Sequence, residues 1–239
     1  MQLRDVFYGA AVAVGMALPS AVMADDFLTC LNELDADIGV PACEQALNED
    51  LTTAERAEVF LALGLHERKS GNLDAALGHF DEASDLSVIN SKAMTEIGLV
   101  HYIRGDQDAA ISAFSEALAV EPDSVRALNN RAVARASVGR YTAAVEDLNL
   151  ALTIDANDAD LWNNRANVNC ELGAVDQAYR DRIQALYAGR FTAAAAQSGL
   201  RKSGYYDGPS DGIWGPDSED ALLEWTKGGC PNAPKTRLN

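Results

Sequence analysis

Basic residues are scarce in this sequence. Its 19 lysines and arginines stand against 36 aspartates and glutamates, which gives a net charge of −17 at pH 7. An acidic surface of this kind repels nucleic acid and anionic membranes, so we expect no nucleic-acid partner. One stretch reverses the sign, because 180–202 holds five basic residues and one acidic residue, a net of +4 (5 − 1).

Long apolar runs are also missing. The run at 6–18 has 13 residues (18 − 6 + 1), whereas a helix needs about 20 to cross a bilayer. The run follows Arg4 and precedes small residues at Val22 and Ala24, a pattern typical of an export signal that is cleaved after Ala24. We therefore expect 1–24 to be removed, and the mature protein to be periplasmic or secreted without a membrane segment.

Histidine is rare as well, and catalytic patterns are absent. The three histidines, His66, His79 and His101, have no glutamate or cysteine at ligand spacing, whereas a zinc site needs three or four converging ligands. The sequence contains no phosphate-binding loop, nucleophile elbow or catalytic-triad pattern. We therefore predict no enzyme, no metal and no cofactor.

The chain instead carries an internal repeat of 34 residues. The spacing is the same between Gly71, Gly105, Gly139 and Gly173 (105 − 71, 139 − 105, 173 − 139). Three more columns of equivalent positions keep this period. The first column is Gly64, Gly98, Ala132 and Ala166. The second is Ala76, Ala110, Ala144 and Ala178, and the third is Ala83, Ala117, Ala151 and Ala185. A period kept in four columns indicates repeated structural units rather than biased composition.

Each unit has the pattern of a helical hairpin. In the unit at 91–123, apolar residues recur at helical spacing on both sides of Gly105, which suits the positive φ of a helix end. These apolar residues are Met94, Ile97 and Tyr102, then Ile111, Phe114 and Leu118. Small residues at Gly98 and Ala110 allow the two helices to approach closely.

The unit resembles the tetratricopeptide repeat. The small, aromatic and proline positions of that repeat match Gly98, Tyr102, Ala110, Phe114, Ala117 and Pro122. The resemblance implies an all-α solenoid with four repeats over 53–189 and a degenerate hairpin at 25–52. In the fourth repeat Arg182 stands where the others have Phe80, Phe114 and Leu148, so we expect its second helix to turn a polar face outward.

The resemblance also implies a partner groove. Stacked hairpins of this family form a superhelix whose first helices line a concave face that binds proteins or extended peptides. By analogy, that face carries Leu61, Leu65, Arg68, Thr95, Leu99, Tyr102, Asn129, Val133, Ala136, Asn163, Asn167 and Cys170. An asparagine there can pair with a peptide backbone, since its amide both donates and accepts. The alternative is that Asn130 and Asn164 bond neighbouring repeats.

The last part of the chain has a different composition. A loop of glycine, aspartate and aromatic residues at 204–215 separates predicted helices at 191–203 and 216–227, the second capped by Asp217 or Ser218. This loop resembles the motif of the peptidoglycan-binding domain of cell-wall hydrolases, over 190–230. The resemblance implies glycan contacts from Arg190, Arg201, Lys202, Tyr205, Tyr206, Asp211 and Trp214. We expect 231–239 to be a flexible tail.

Three alternatives stay open for this terminal module. Tyr205 and Trp214 can close a small core instead of contacting sugar. Asp207 and Asp211 can bind calcium, although two carboxylates are a minimal ligand set. The module can also cap the repeats without meeting glycan. The sequence thus predicts a periplasmic scaffold for a protein partner, tethered to peptidoglycan; the alternatives are a purely structural cap or a non-catalytic accessory of a wall hydrolase.

The four cysteines are expected to form two disulfides in an oxidising compartment. Stepping back one period from Gly64 and Ala76 places Cys30 and Ala42 in the degenerate hairpin, with Cys30 facing Cys43. A bond closing this short loop is worth around 3 kcal/mol. Pairing Cys170 with Cys230 would fold the module back onto the last repeat, and the alternative is a bond from Cys230 to a second chain.

Overall fold

The computed structural model describes residues 23–33, 35–86 and 90–230. Most of the expected export signal and the whole expected tail lie outside these residues. In the described ranges every regular element is an α-helix, as predicted. The helices are α1 Met23–Asn32, α2 Ala36–Ala46, α3 Thr53–Ser70, α4 Leu73–Asp85, α5 Asn90–Arg104, α6 Gln107–Val120, α7 Val125–Ser137, α8 Tyr141–Ile154, α9 Ala159–Glu171, α10 Val175–Tyr187, α11 Ala193–Lys202 and α12 Pro216–Lys227.

The recurring glycines end the first helix of each repeat. Gly71, Gly105, Gly139 and Gly173 have φ values of 85°, 87°, 76° and 69°. This left-handed conformation is strained for residues with a Cβ atom, and it turns the chain sharply into the next helix. The four hairpins α3–α4, α5–α6, α7–α8 and α9–α10 follow, and each packs against the next. The predicted solenoid of four repeats with a degenerate hairpin before it is confirmed.

Close helix approach explains the column of small residues. A Cβ atom on Gly64 would lie 2.4 Å from the Phe80 ring, and one on Gly98 would lie 2.5 Å from the Phe114 ring. Both rings are fully buried. The third repeat has alanine in place of the glycine, and there the facing residue is the smaller Leu148. The side chains of this pair therefore compensate in volume from one repeat to the next.

The degenerate hairpin is formed by α1 and α2. Cys30 and Cys43 join its two helices in a disulfide with their Cα atoms 4.6 Å apart. Both cysteines are buried and pack with Val59 and Leu63 of α3. This disulfide therefore lies inside the small hydrophobic core through which the hairpin packs on the first repeat.

The terminal module consists of α11, the loop 203–215 and α12, and it is organised around Gln197. This side chain is fully buried, and its Nε2 donates to the carbonyl oxygen of Ile213 at 2.9 Å and to Ser218 Oγ at 3.2 Å. Its Oε1 accepts from the backbone N–H of Gly212 at 3.0 Å. One glutamine thus holds the end of the loop and the first turn of α12 against α11.

The predicted cap of α12 was wrong. The N-cap residue is Gly215, and Pro216 takes the first helical position. Proline suits this position because its fixed φ is helical and its missing N–H would have no partner there. Ser218 is buried instead and bonds Gln197, while Asp217 lies in the first turn of the helix.

The module packs on the last repeat. Cys170 of α9 and Cys230 after α12 are joined, with their Cα atoms 6.1 Å apart. Tyr179 and Ile183 of α10 pack against the core of the module. The module therefore folds back onto the end of the repeat stack, as the predicted Cys170–Cys230 pairing required.

Candidate partner surface and the junction between repeats and module

Most of the predicted groove residues are buried. Asn129 and Asn163 have no exposed surface (0%), which leaves nothing for a partner to contact at either amide. Five other members of the predicted set are also buried, namely Leu61, Thr95, Leu99, Val133 and Asn167. The first helices of the repeats therefore lie closer together than they would in the open groove that the family analogy predicts.

The asparagines bond within the chain. Asn164 Nδ2 of α9 donates to Asn129 Oδ1 of α7 at 2.8 Å. This bond joins the first helices of two consecutive repeats, which is the alternative role given for Asn164. Its partner Asn129 was predicted to line the groove. Because an unpaired amide is costly in a buried site, the contact specifies how the two repeats stack.

A buried ion cluster supports the third repeat. Arg131 of α7 forms two parallel hydrogen bonds with Asp147 of α8, from Nε at 3.0 Å and from Nη2 at 2.7 Å. Arg135 adds a third bond to the same carboxylate at 2.7 Å. Bidentate arginine–carboxylate pairs are among the strongest hydrogen bonds in proteins, so the cluster fastens the two helices of this hairpin.

The fourth repeat reproduces the cluster one period later. Arg165 bonds Asp181 at 2.9 and 2.7 Å, and both residues follow their counterparts by 34 (165 − 131, 181 − 147). Asn169, in the position of Arg135, donates to Asp181 at 3.0 Å. These pairs were not predicted from the sequence, although an arginine and an aspartate that both recur at the repeat period are a readable signal.

Part of the predicted groove is accessible near the C-terminal ends of α3 and α5, the first helices of the first two repeats. Leu65 is 36% exposed, and Arg68 and Tyr102 are half-buried. Burial raises the pKa of the Tyr102 phenol above its ordinary value. These three residues, named here the Leu65 patch, offer apolar, cationic and hydroxyl contacts.

A buried carboxylate lies behind this patch. Glu96 of α5 is paired with Arg68 of α3 at 3.2 Å and with Arg126 of α7 at 2.5 Å. The Glu96 side chain is 3% exposed. The pairing holds the Arg68 guanidinium in place at the edge of the patch.

Arg182 does not face outward as expected. It is 6% exposed, and its guanidinium donates to Asn163 Oδ1 at 2.5 Å and to Asn167 Oδ1. It also lies over the Trp225 ring of the module, 5.1 Å from the centroid. The prediction was wrong because α12 covers this face of α10, so the arginine is enclosed between two asparagines and an indole.

The predicted glycan contacts are divided between core and surface. Tyr206 is buried and donates to the carbonyl oxygen of Pro209 at 3.2 Å, while Tyr205 and Trp214 pack partly buried against the module core. Asp211 accepts from the N–H of Ile213 at 2.9 Å, and Arg190 pairs with Asp160 at 2.6 Å. Arg201 and Lys202 are exposed at the end of α11.

In the ranges that the structure describes, no three histidine, cysteine, aspartate or glutamate side chains are grouped so that they could hold a metal ion. None of the helices described combines the length and apolar character needed to cross a membrane.

Comparison with known proteins agrees with the hairpin geometry. A family model described as tetratricopeptide repeat matches 61–119 and 95–159. Residues 61–159 therefore carry tetratricopeptide repeats. The matched ranges hold the second helix of the first repeat, the whole second repeat and the whole third repeat, so the match lies over the most regular part of the stack. Among curated proteins, none matches the sequence.

Solved structures with similar folds are distant in sequence. MamA is 19% identical, with 71% of this chain and 91% of MamA aligned at a TM-score of 0.58. PilF from Pseudomonas aeruginosa is 16% identical over 77% of this chain and 82% of its own, at a TM-score of 0.63. Cut9, in the Cut9–Hcn1 hetero-tetramer of the APC/C, is 21% identical over 67% of this chain and 32% of the other, at 0.57. At such identities the likeness shows the fold alone.

Proposed function

We propose that this protein is a scaffold of the bacterial cell envelope whose repeats bind a partner protein. The observation that carries the proposal is the stack of four tetratricopeptide-type hairpins, an architecture that presents an extended binding surface. The similarity to Cut9, which was solved in a hetero-tetramer with Hcn1, supports a role in protein assembly. An envelope location is supported by the two disulfides, which persist in oxidising compartments.

The partner binds at the Leu65 patch in this proposal. The buried asparagines cannot reach a partner, whereas Leu65, Arg68 and Tyr102 lie at the surface of consecutive repeats. Tyrosine and arginine are enriched at interface hot spots, and both occur here beside an exposed apolar side chain. We infer a partner segment with an apolar residue next to a carboxylate.

Cross-linking in living cells tests the scaffold proposal. A photoreactive amino acid replaces Leu65 in one variant and Leu150 in the other. Leu150 is a matched control because it is also apolar and exposed, at 47%, but lies on the second helix of the third repeat. We expect a discrete adduct from position 65 alone, identified by mass spectrometry. No adduct, or the same adducts from both positions, would refute the proposed surface.

The module caps the last repeat and contacts peptidoglycan weakly if at all in this proposal. Capping is favoured by the Cys170–Cys230 bond and by the enclosure of Arg182. Among the glycan candidates only Arg201, Lys202 and Asp211 are exposed, and the first two are the cationic ones. Co-sedimentation with purified sacculi tests the contact, using a double R201A/K202A variant. Strong binding that this variant retains would refute the proposed contact.

A further inference from the structure

A cavity of about 250 Å³ lies between the last repeat and the terminal module. Arg182 and Leu186 of α10 form one side, and Leu200, Trp214, Leu222 and Trp225 of the module form much of the other. Ala195 and Gly199 also line it and are exposed, so the cavity opens to solvent along α11. Apolar cavities of about 150 Å³ bind benzene, so this one has room for a ring and a short side chain.

Two hydrogen-bond donors in the cavity wall have no acceptor. The Nε–H of Arg182 and the Nε1–H of Trp214 are both buried, and neither has a hydrogen-bond partner among the described residues. A buried polar group without a partner is rare, because it loses its bonds to water without replacement. Both groups donate, so the missing ligand group is an acceptor.

The charge at this site is also unbalanced. Among the residues that the structure describes, Arg182 bonds only to the neutral amides of Asn163 and Asn167, and it stacks on Trp225. The nearby Asp181 carboxylate is occupied by Arg165, with which it forms a bidentate pair. Burial lowers the pKa of Arg182 to about 10, which still leaves the group cationic at pH 7. A buried cation without a counter-ion favours an anionic ligand.

We propose that this cavity binds a ligand that combines an apolar, preferably aromatic, body with a carboxylate, held by Arg182 and Trp214. The apolar walls take the body of the ligand, and the two free donors take the carboxylate oxygens. The proposal goes beyond the scaffold function and does not depend on it. The ligand is a small organic acid or the C-terminal residue of a peptide, since both present this chemistry.

Calorimetric titration of the full chain with two matched probes tests the proposal. The probes are 3-phenylpropionate and its amide, which has nearly the same shape without the charge. We expect the carboxylate to bind at least tenfold more tightly. An acetylated tripeptide ending in phenylalanine, as free acid and as amide, distinguishes the sources, since tighter binding of the peptide acid than of 3-phenylpropionate identifies a chain terminus. Equal binding of acid and amide, or no binding of any acid, would overturn the proposal.

Single substitutions then test whether Arg182 and Trp214 bind the carboxylate. Arg182→Leu introduces the residue that the preceding repeat has at Leu148, and we expect it to abolish the preference for the acid. Arg180→Leu makes the same charge change on the exposed side of α10 and should leave binding unchanged. Trp214→Phe keeps an aromatic side chain but removes the indole N–H, so it should weaken acid binding at least threefold even if Arg182→Leu fails to fold. Acid affinity that Trp214→Phe leaves unchanged contradicts the assignment.

Discussion

Replacing Asp147 by alanine should destabilise the repeats far more than breaking an exposed ion pair. The Asp147 side chain is 6% exposed and forms ion pairs with both Arg131 and Arg135. Removing one member of a buried pair leaves uncompensated charge and costs roughly 3 to 5 kcal/mol. The melting temperature should fall by roughly 6 to 20 °C for a chain of this size. Urea denaturation followed by circular dichroism, with the disulfides intact, measures the loss.

The control and the rescue both come from the second repeat. Asp108 pairs with Arg140 at 2.8 Å, but the two side chains are 80% and 53% exposed, so Asp108→Ala should cost under about 1 kcal/mol. The second repeat has Ile97 and Ala113 one period before the buried pair. The double variant R131I/D147A replaces the buried pair by the apolar residues of the second repeat. It should therefore recover most of the stability that Asp147→Ala loses. Equal losses from the two aspartate variants would refute the reasoning.

Three further outcomes are expected. Cys230→Ser opens a loop of 60 residues and should lower the free energy of unfolding by about 4 kcal/mol. Tryptophan fluorescence should then report unfolding of the module at a lower denaturant concentration. An unchanged unfolding midpoint would contradict the tethering role of the disulfide. Gly98→Ala should lower the free energy of unfolding by about 1 to 3 kcal/mol, because the added methyl group overpacks the Phe114 ring. Adding Phe114→Leu should restore the melting temperature. A larger loss in the double variant would argue against volume compensation. Gln197→Ala should cost about 3 kcal/mol by leaving buried groups unpaired and weaken the near-ultraviolet dichroism of the module, whereas the exposed Gln184→Ala should change neither.

The solenoid could be predicted because its signals are local and repeated. The turn glycines recur at the repeat period, and each is required by a positive φ that the structure has. The disulfide partner of Cys30 followed from the same period. The pairing of Gly98 with Phe114 was also readable, because the size of one residue limits the other within a single hairpin.

The candidate surface could be predicted only in part, because burial depends on contacts between units. Asn129 looks like a groove residue when its own helix is considered, but its partner Asn164 belongs to the next repeat. Arg182 looks like an exposed end of the stack until α12 covers it with Trp225. The contact of Arg182 with Trp225 joins the last repeat to a module outside the repeat pattern, so periodicity could not reveal it.

Glu96 has a consequence for how the array unfolds. Repeat proteins usually behave as a line of units coupled only to their immediate neighbours, so that they lose repeats progressively from the ends. Glu96 is a counter-ion shared by Arg68 and Arg126, which belong to the first and third repeats. Losing either outer repeat therefore exposes a charge in the middle one, and the cost of that exposure binds three units into one cooperative block. In amide hydrogen exchange, the slowest amides of α3, α5 and α7 should share a single opening free energy.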